Sequence, residues 1–332
     1  MRPLPRLAAA TLAVGAIVLQ TAFGLAAPAR ADEWPSRTVT VVVPYAPGGF
    51  TDTLARIACK YLAEKLGQGF VVENRAGAGG GIGTTYVTKS PPDGYILLFG
   101  SASQPGIAPL TQKITYDPDA LAPITIFGKI PFLLAVGPQY PANDLASFVA
   151  GARLKRGGLT NAISGVGATT HLLSTGFAHR AGFEVVNIPY KGSAPVAAAV
   201  MQGDVDMAWA GVSDIISFVP AGKVKVLAIS SEPRAPTLPD VPSVTETYPD
   251  FHLETWNGFF APRGAPDEVA EKISRLMRQA VASPEIGGRL RELGIEPIAT
   301  CAARRHQRCA GKSCRRPSRR LPPGREGVHV SG

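Results

Sequence analysis

Cysteine is scarce in the part of the chain that can form a folded core. The sequence has 332 residues and four cysteines, and Cys59 is the only cysteine before residue 301. No disulfide can therefore form within residues 32–300. A chain of this length does not depend on one, because large domains bury enough apolar surface without cross-links. Cys59 falls within a predicted helix, and we interpret it as a buried, inert thiol.

The motifs of several enzyme classes are also missing. A dinucleotide-binding G-x-G-x-x-G does not fit the glycine-rich loops, because its sixth position falls on Ile82, Thr84 or Thr170. The G-x-x-x-x-G-K-[ST] phosphate loop and the G-x-S-x-G elbow of hydrolases do not occur. No metal-ligand spacing connects three of the histidines, His171, His179 and His252. We therefore expect no cofactor, no bound metal and no enzymatic activity.

The net charge of +9 is concentrated at the two ends of the chain. Residues 1–31 contain three arginines and no acidic residue, and residues 301–332 contain eight arginines and one lysine against one glutamate. The remaining residues, 32–300, consequently have a net charge of −2. Because the folded part has no excess of positive charge, the composition does not favour a nucleic-acid partner.

The first residues have the three parts of a signal peptide. A basic start with Arg2 and Arg6 precedes an apolar stretch from Leu7 to Leu19, and Ala-Arg-Ala at 29–31 has the pattern of a cleavage site. We predict that residues 1–31 direct export to the periplasm and that the mature protein begins near Asp32. The alternative is an uncleaved anchor, which needs about 20 apolar residues, whereas polar residues interrupt this stretch after Leu19.

Short β-branched segments alternate with amphipathic segments, which is typical of an α/β fold. Residues 38–43 are apolar enough for a strand buried on both faces, which predicts a parallel, doubly wound sheet. A helix should follow, with Thr51 as its N-cap. Further strands are predicted at Phe70–Val72, Tyr95–Phe99, Phe132–Val136, Val185–Ile188, Val205–Ala208 and Val224–Ser230. Further helices are predicted at Thr169–Ala178, Ala194–Gln202, Pro266–Ala282 and Pro284–Leu293.

Four loops rich in small residues follow these strands or precede these helices, at residues 47–52, 74–83, 164–171 and 189–195. In doubly wound folds, ligands bind beyond the carboxyl ends of the strands. Three of the loops open helices, and a helix N-terminus attracts anions through its unpaired N–H groups and its positive dipole end. Several such termini, with Ser and Thr hydroxyls, could hold a carboxylate without a buried arginine. Taken singly, each loop is equally compatible with glycines that serve only tight turns.

Residues 43–56, 73–83 and 92–95 closely resemble the Bug-type substrate-binding proteins of tripartite tricarboxylate transporters. Shorter matches are His171-Leu172 and residues 189–192, 203–206, 238–242 and 256–258. The resemblance extends from Trp34 to Ala299. It implies a two-lobed, type II periplasmic-binding (Venus-flytrap) fold that closes at a hinge on a carboxylate-bearing solute. We expect lobe one to comprise residues 32–130 plus 232–300, and lobe two residues 131–231.

The resemblance and the loop pattern together define a set of candidate ligand-binding residues. They are Tyr45, Gly48, Gly49, Thr51, Asp52, Gly77, Gly79, Ser101, Ser164, Gly165, Gly167, Ala168, Thr169, His171, Tyr190, Lys191 and Asp206. Ala168 departs from the family, which has Thr or Ser three residues before the histidine, so that either a hydroxyl contact is missing or Thr169 supplies it. Asp52 can order the loop or face the ligand. His171 is more readily explained as a capping or packing residue than as a base.

The resemblance implies a monomeric periplasmic protein that captures a small carboxylate for the membrane subunits of a transporter and catalyses no reaction. A second interpretation is a ligand-binding partner of a membrane sensor kinase. The third, a periplasmic enzyme, lacks a paired nucleophile and base in the sequence. Neighbouring genes for a small and a large membrane subunit would favour transport, and an adjacent histidine kinase gene would favour sensing.

The resemblance ends at residue 300, where the family continues with a helix start similar to Pro-Glu-Glu-Phe. This chain continues instead with Cys301 and a segment rich in Arg, Pro and Gly that has no apolar periodicity. Such a composition is typical of GC-rich codons read in a shifted frame, so we predict a frameshift near codon 300 and a disordered tail. The alternative is a genuine basic extension that binds anionic surfaces.

Overall fold

The computed structural model describes residues 33–232 and 234–300. The predicted signal peptide and the basic tail lie outside the described residues. Internal contacts divide the chain into two units, residues 1–37 and residues 38–332. Residues 33–37, the described part of the first unit, contain no helix or strand. All described helices and strands therefore belong to the second unit.

The first of two sheets has six strands in the order β11-β4-β10-β3-β1-β2. The strands are β1 (Val39–Val43), β2 (Phe70–Asn74), β3 (Ile96–Ser101), β4 (Leu121–Ile130), β10 (Thr255–Pro262) and β11 (Glu296–Pro297). β1 runs parallel to β2 and β3, whereas β10 is antiparallel to β3 and β4. We use the name lobe one for this sheet and the helices packed on it.

The second sheet has five strands in the order β7-β6-β8-β5-β9. The strands are β5 (Phe132–Val136), β6 (Leu159–Ile163), β7 (Val185–Pro189), β8 (Met207–Gly211) and β9 (Lys225–Ile229). β6 is parallel to β7 and β8, and β5 is antiparallel to β8 and β9. This sheet and its helices form lobe two. The chain passes from lobe one to lobe two at Pro131, between β4 and β5, and returns between β9 and β10.

Helices cover both sheets and bury apolar stripes against them. They are α1 (Phe50–Leu66), α2 (Gly81–Thr88), α3 (Ala108–Thr111), α4 (Leu145–Leu154), α5 (Thr169–Ala181), α6 (Ser193–Gln202), α7 (Val212–Ile215), α8 (Asp267–Ala282) and α9 (Pro284–Glu292). In α8 the buried residues Val269, Ile273, Leu276, Met277 and Ala280 recur at helical spacing on the face that packs on β4. None of the described helices combines the length and apolarity needed to cross a membrane.

The strands that are rich in β-branched residues and the longer helices lie close to their predicted positions. β5 begins and ends at the predicted residues, and Cys59 is buried in α1. Burial raises the pKa of the Cys59 thiol to about 12, which keeps it protonated and unreactive.

Three predictions about the fold were wrong or incomplete. Both sheets are mixed, not parallel, because β10 and β5 insert antiparallel strands. β4, β6, β10 and the helices α2 and α4 were not predicted, since glycine, proline or polar residues interrupt their apolar patterns. Thr51 is not the N-cap of α1: the helix begins at Phe50 after Gly49, which places Thr51 inside the first turn.

Candidate functional site

A cavity lies between the two lobes, beyond the carboxyl ends of β1, β3 and β6. It contains about 340 Å³ of empty space, part of it open to solvent. Nine of its lining residues have hydroxyl groups: Tyr45, Thr51, Ser101, Ser103, Ser164, Thr169, Thr170, Ser193 and Thr255. Phe50 and Phe132 form its apolar wall, and Asp52 is the one lining residue among those described that has a charged side chain.

Three helices begin at this cavity without a side-chain N-cap. The N-cap residues of α1, α5 and α6 are Gly49, Ala168 and Gly192, and none of them makes a side-chain capping bond. The first-turn N–H groups of these helices therefore need acceptors from elsewhere. Because α1 comes from lobe one and α5 and α6 from lobe two, their positive dipole ends meet in the closed cleft.

Hydroxyl groups of the opposite lobe accept hydrogen bonds from two of these N–H groups. The N–H of Phe50 in α1 donates to Ser193 Oγ at 3.3 Å, and the N–H of Thr169 in α5 donates to Ser103 Oγ at 3.1 Å. Thr169 Oγ1 also donates to Thr255 Oγ1 at 3.2 Å. Thr169 thus places a hydroxyl at the cavity, directly after Ala168 in the chain.

A second group of hydrogen bonds fixes the lobe-one wall. Gln104 Nε2 donates to the Tyr45 hydroxyl at 3.0 Å, while Gln104 Oε1 accepts the Ser101 N–H at 2.7 Å. Asn257 Nδ2 donates to Thr51 Oγ1 and to the carbonyl of Gly100, both at 3.1 Å. The buried amides of Gln104 and Asn257 therefore orient the hydroxyls that face the cavity.

Asp52 lines the cavity, but its carboxylate is saturated by neighbours from lobe one. It accepts the Gly48 N–H at 3.0 Å, Arg56 Nε at 2.9 Å and Nη2 at 3.1 Å, and Asn74 Nδ2 at 2.9 Å. Burial raises the pKa of Asp52, but these hydrogen bonds outweigh burial and leave the pKa below its ordinary value. Its geometry is that of a residue that orders the loop, one of the two roles left open by the sequence.

Close backbone contacts between the lobes explain some of the glycines. A Cβ on Gly49 would lie 2.3 Å from Ser193 Oγ, and a Cβ on Gly165 would lie 2.6 Å from the Cα of Gly79. Side chains at these positions would hold the lobes apart. Gly165 also has φ +143°, a conformation that L-residues rarely adopt.

Seven predicted residues line the cavity: Tyr45, Gly49, Thr51, Asp52, Ser101, Ser164 and Thr169. Others lie around it in supporting positions. Gly48 binds Asp52, Gly77 packs on Ile82, and Gly79, Gly165 and Gly167 lie at the seam between the lobes. Ala168 is buried as the N-cap of α5.

Four predicted residues lie away from the cavity wall. His171 Nδ1 accepts the Gly167 N–H at 3.4 Å, and burial lowers the pKa of His171, so that its ring is neutral at pH 7. Tyr190 packs into the lobe-two core. Lys191 is exposed, and only its carbonyl reaches across to the Ala46 N–H, at 2.7 Å.

Asp206 is placed at the opposite end of β6 from Ser164. It accepts hydrogen bonds from Lys155 Nζ at 2.6 Å and from the Thr160 N–H at 2.7 Å. β6 begins at Leu159 and reaches the cavity only after Ile163. The structure therefore gives Asp206 a role in holding the start of this strand and does not bring it to the cavity.

Several lining residues were missed by the sequence interpretation: Ala46, Phe50, Ser103, Phe132, Thr170, Ser193 and Thr255. Ala46, Phe50, Thr170 and Ser193 fall in or next to the glycine-rich loops, and their position at helix starts could have identified them. Ser103 and Thr255 carry no such signal, because β10 and the turn after β3 were not recognised. No group of His, Cys, Asp or Glu in the described residues could hold a metal ion.

Two α/β lobes with a hydroxyl-lined cavity between them define a solute-binding protein. A family model described as "Tripartite tricarboxylate transporter family receptor" matches residues 54–318. The chain belongs to this family, whose members are solute-binding receptors and not enzymes. The match continues to residue 318, so the prediction that the family resemblance ends at residue 300 was wrong.

Protein BugT of Bordetella pertussis is 35% identical to this chain over 292 residues, which cover 86% of this chain and 89% of BugT. Two solved structures from Rhodopseudomonas palustris are similar as well. The structure of Rpa4515 with adipate has a TM-score of 0.79 to this protein and a sequence identity of 32%. The match covers 84% of this chain and 94% of the Rpa4515 chain. The structure of MatC with bound malate has a TM-score of 0.75 and a sequence identity of 33%. Its match covers 83% of this chain and 93% of the MatC chain. These similarities confirm the Bug-type resemblance and the two-lobed fold.

Proposed function

We propose that this protein captures a small carboxylate in the cavity between its lobes and presents it to a tripartite tricarboxylate-type transporter in the membrane. The observation that carries the proposal is the meeting of helix N-termini from both lobes, whose N-cap residues supply no capping side chain, at a hydroxyl-lined cavity. An anion is stabilised there by N–H groups and dipoles, although no lysine or arginine is among the described lining residues.

The ligands of two relatives support a small acid. Rpa4515 and MatC were solved with adipate and malate, both dicarboxylates. Micromolar capture requires about −8 kcal/mol, which an acid of about ten heavy atoms can reach within ligand-efficiency limits.

Ligand capture in this arrangement requires the lobes to move about a hinge. We propose that lobe one comprises residues 32–130 plus 232–300 and that lobe two comprises residues 131–231, with the hinge at the crossings near Pro131 and after β9. The hydrogen bonds of Ser103 and Ser193 across the cleft belong to the closed state. The protein acts in the periplasm as a monomer in this proposal, and its partners are the membrane subunits of the transporter.

A thermal-shift screen tests the proposal. The panel contains adipate, malate, citrate, glutamate and benzoate, with the neutral diamide of adipate as a control. A bound acid raises the melting temperature, since saturating ligand stabilises the folded state by RT ln(1 + [L]/Kd). The variant Thr169→Val should reduce the shift, whereas Thr175→Val, on the exposed face of the same helix, should not. A shift with the diamide and with none of the acids would contradict carboxylate capture.

A further inference from the structure

The side chain of Asp214 is a fully buried carboxyl group, and the proposed binding of a carboxylate ligand gives it no role. It lies in the short helix α7, directly after β8, and its Oδ2 has no hydrogen-bond partner among the described residues. The Ser193 side chain and the backbones of Phe50 and Gly211 form hydrogen bonds with the carboxyl group, but a buried carboxylate with one unpaired oxygen is still costly, so the neutral form is favoured.

The residues around Asp214 come from both lobes. Phe50, the first residue of α1 in lobe one, covers it, and its N–H donates to Ser193 Oγ of lobe two at 3.3 Å. A Cβ added to Gly211 would lie 2.8 Å from Phe50 Cδ1 and 3.0 Å from Asp214 Oδ2, so the side chains of Phe50 and Asp214 both lie next to Gly211. The Phe50 ring packs edge-on against Phe132, with the ring centroids 6.0 Å apart.

The environment of Asp214 contains no charge that would keep it ionised. Burial raises its pKa to about 7, and the neighbouring Ser193 side chain and the backbones of Phe50 and Gly211 lower it by less than burial raises it. The elements around it also have charged residues: Asp52 and Arg56 on α1, Lys191 before α6, and Arg291 and Glu292 on α9. None of them contributes to the pKa of Asp214.

We propose that Asp214 couples closure of the cleft to the binding of a proton: the closed state holds this carboxyl neutral under Phe50, and the open state exposes it to water, where it ionises. This inference rests on the hinged closure of the proposed function. Moving α1 away takes Phe50 off Asp214 and breaks the hydrogen bond from the Phe50 N–H to Ser193 Oγ, and water then solvates the carboxylate. Ser193, at the cavity wall, connects the carboxyl to the ligand site.

The direction of the effect follows from the two protonation states. An open-state carboxyl has a pKa near 4, whereas the closed state has a raised pKa, so closure takes up about one proton at pH 6. The closed state is therefore favoured at low pH and loses this advantage as pH rises through its pKa. Affinity should be about tenfold weaker at pH 8 than at pH 6. His171, whose pKa is lowered by burial, would change affinity in the opposite direction.

Calorimetry with adipate and malate in buffers of different ionisation enthalpy measures proton uptake by the wild-type protein directly. We expect uptake of about one proton at pH 6 and almost none at pH 8.5. In Asp214→Asn the uptake at pH 6 and the fall in affinity from pH 6 to pH 8 should both disappear. The matched control is Asp119→Asn, at an exposed aspartate, which should keep both. Equal proton uptake in Asp214→Asn and wild type would overturn the proposal.

Small-angle X-ray scattering of the protein without ligand separates this proposal from the proposed function. Wild type should be more compact at pH 6 than at pH 8, and Asp214→Asn should show no such difference. If the scattering depends on pH as expected but no acid binds, the proton coupling holds and carboxylate capture fails. If acids bind while proton uptake and scattering do not depend on Asp214, capture holds and the coupling fails.

Discussion

The backbone N–H of Thr169 in lobe two donates to the hydroxyl of Ser103 in lobe one at 3.1 Å. Ser103 Oγ also lies 3.3 Å from Thr169 Oγ1, so one serine contacts the start of α5 twice. Both residues line the cavity. The two lobes are thus joined at the cavity where the proposed ligand binds, and the proposed cleft closure and ligand binding both involve these two side chains.

Ser103→Ala should weaken carboxylate binding about fivefold to tenfold, because a hydrogen bond of this type contributes about 1 kcal/mol. Isothermal titration calorimetry with adipate and malate measures the change. Ser90→Ala is the control, since the Ser90 hydroxyl donates to the Tyr86 carbonyl outside the cavity and should not affect affinity. Wild-type affinity in Ser103→Ala would show that this bridge does not contribute to binding.

Thr51→Val should lower affinity by about 1–3 kcal/mol with little change in fold. Valine has the same shape but lacks the hydroxyl that accepts from Asn257 and faces the cavity. Thr84→Val is a suitable control, because Thr84 is equally buried but donates to the Gly80 carbonyl within lobe one. Calorimetry would contradict the assignment if the two variants bound adipate or malate equally well.

Asp52→Asn should reduce stability by about 1–2 kcal/mol at pH 7 and leave affinity almost unchanged. The asparagine side chain cannot accept the hydrogen bonds from Gly48, Arg56 and Asn74 that the carboxylate accepts. Because the pKa of Asp52 is lowered in the folded state, its stabilising effect is present above about pH 4 and is lost as pH falls through the folded pKa.

Urea unfolding of Asp52→Asn and wild type at pH 7 and pH 3 checks this expectation. The difference between the two proteins should shrink at pH 3. A large loss of affinity at pH 7 with unchanged stability would instead assign Asp52 to ligand recognition.

Export should produce a mature protein that begins at or near Asp32. Mass spectrometry of the N-terminal peptide from a periplasmic fraction measures this directly. Material that retains Met1 and is confined to the cytosol would contradict export.

The DNA around codon 300 tests the frameshift prediction. Adding or removing one base there should open a frame that encodes an amphipathic helix with family-like residues in place of the segment that begins at Cys301. If neither alternative frame encodes such a helix, the basic extension is genuine. Its binding to anionic surfaces then becomes the property to measure.

The sequence was sufficient for the local features that depend on short stretches of chain. Residues 39–43 are valines except for Thr40 and form a largely buried strand, and the spacing of apolar residues in α8 places one face on β4. The glycine-rich loops gave five of the cavity residues, because helix starts and strand ends are visible in the order of residues, and Tyr45 and Ser101 lie outside these loops. The family resemblance was visible for the same reason.

Only the tertiary structure brought Ser103, Thr255 and Asp214 to the seam between the lobes. Ser103 and Thr169 are 66 residues apart in the chain. Asp214 follows a strand of the second sheet, whereas Phe50 follows a strand of the first. No local sequence pattern encodes which hydroxyl accepts a hydrogen bond from a given helix N–H group. None encodes which carboxyl group becomes buried away from water. The sequence by itself determined the start of α5, the position of β5 and the family. Hydrogen-bond partners and burial were decided by long-range packing, because both depend on residues that are distant in sequence.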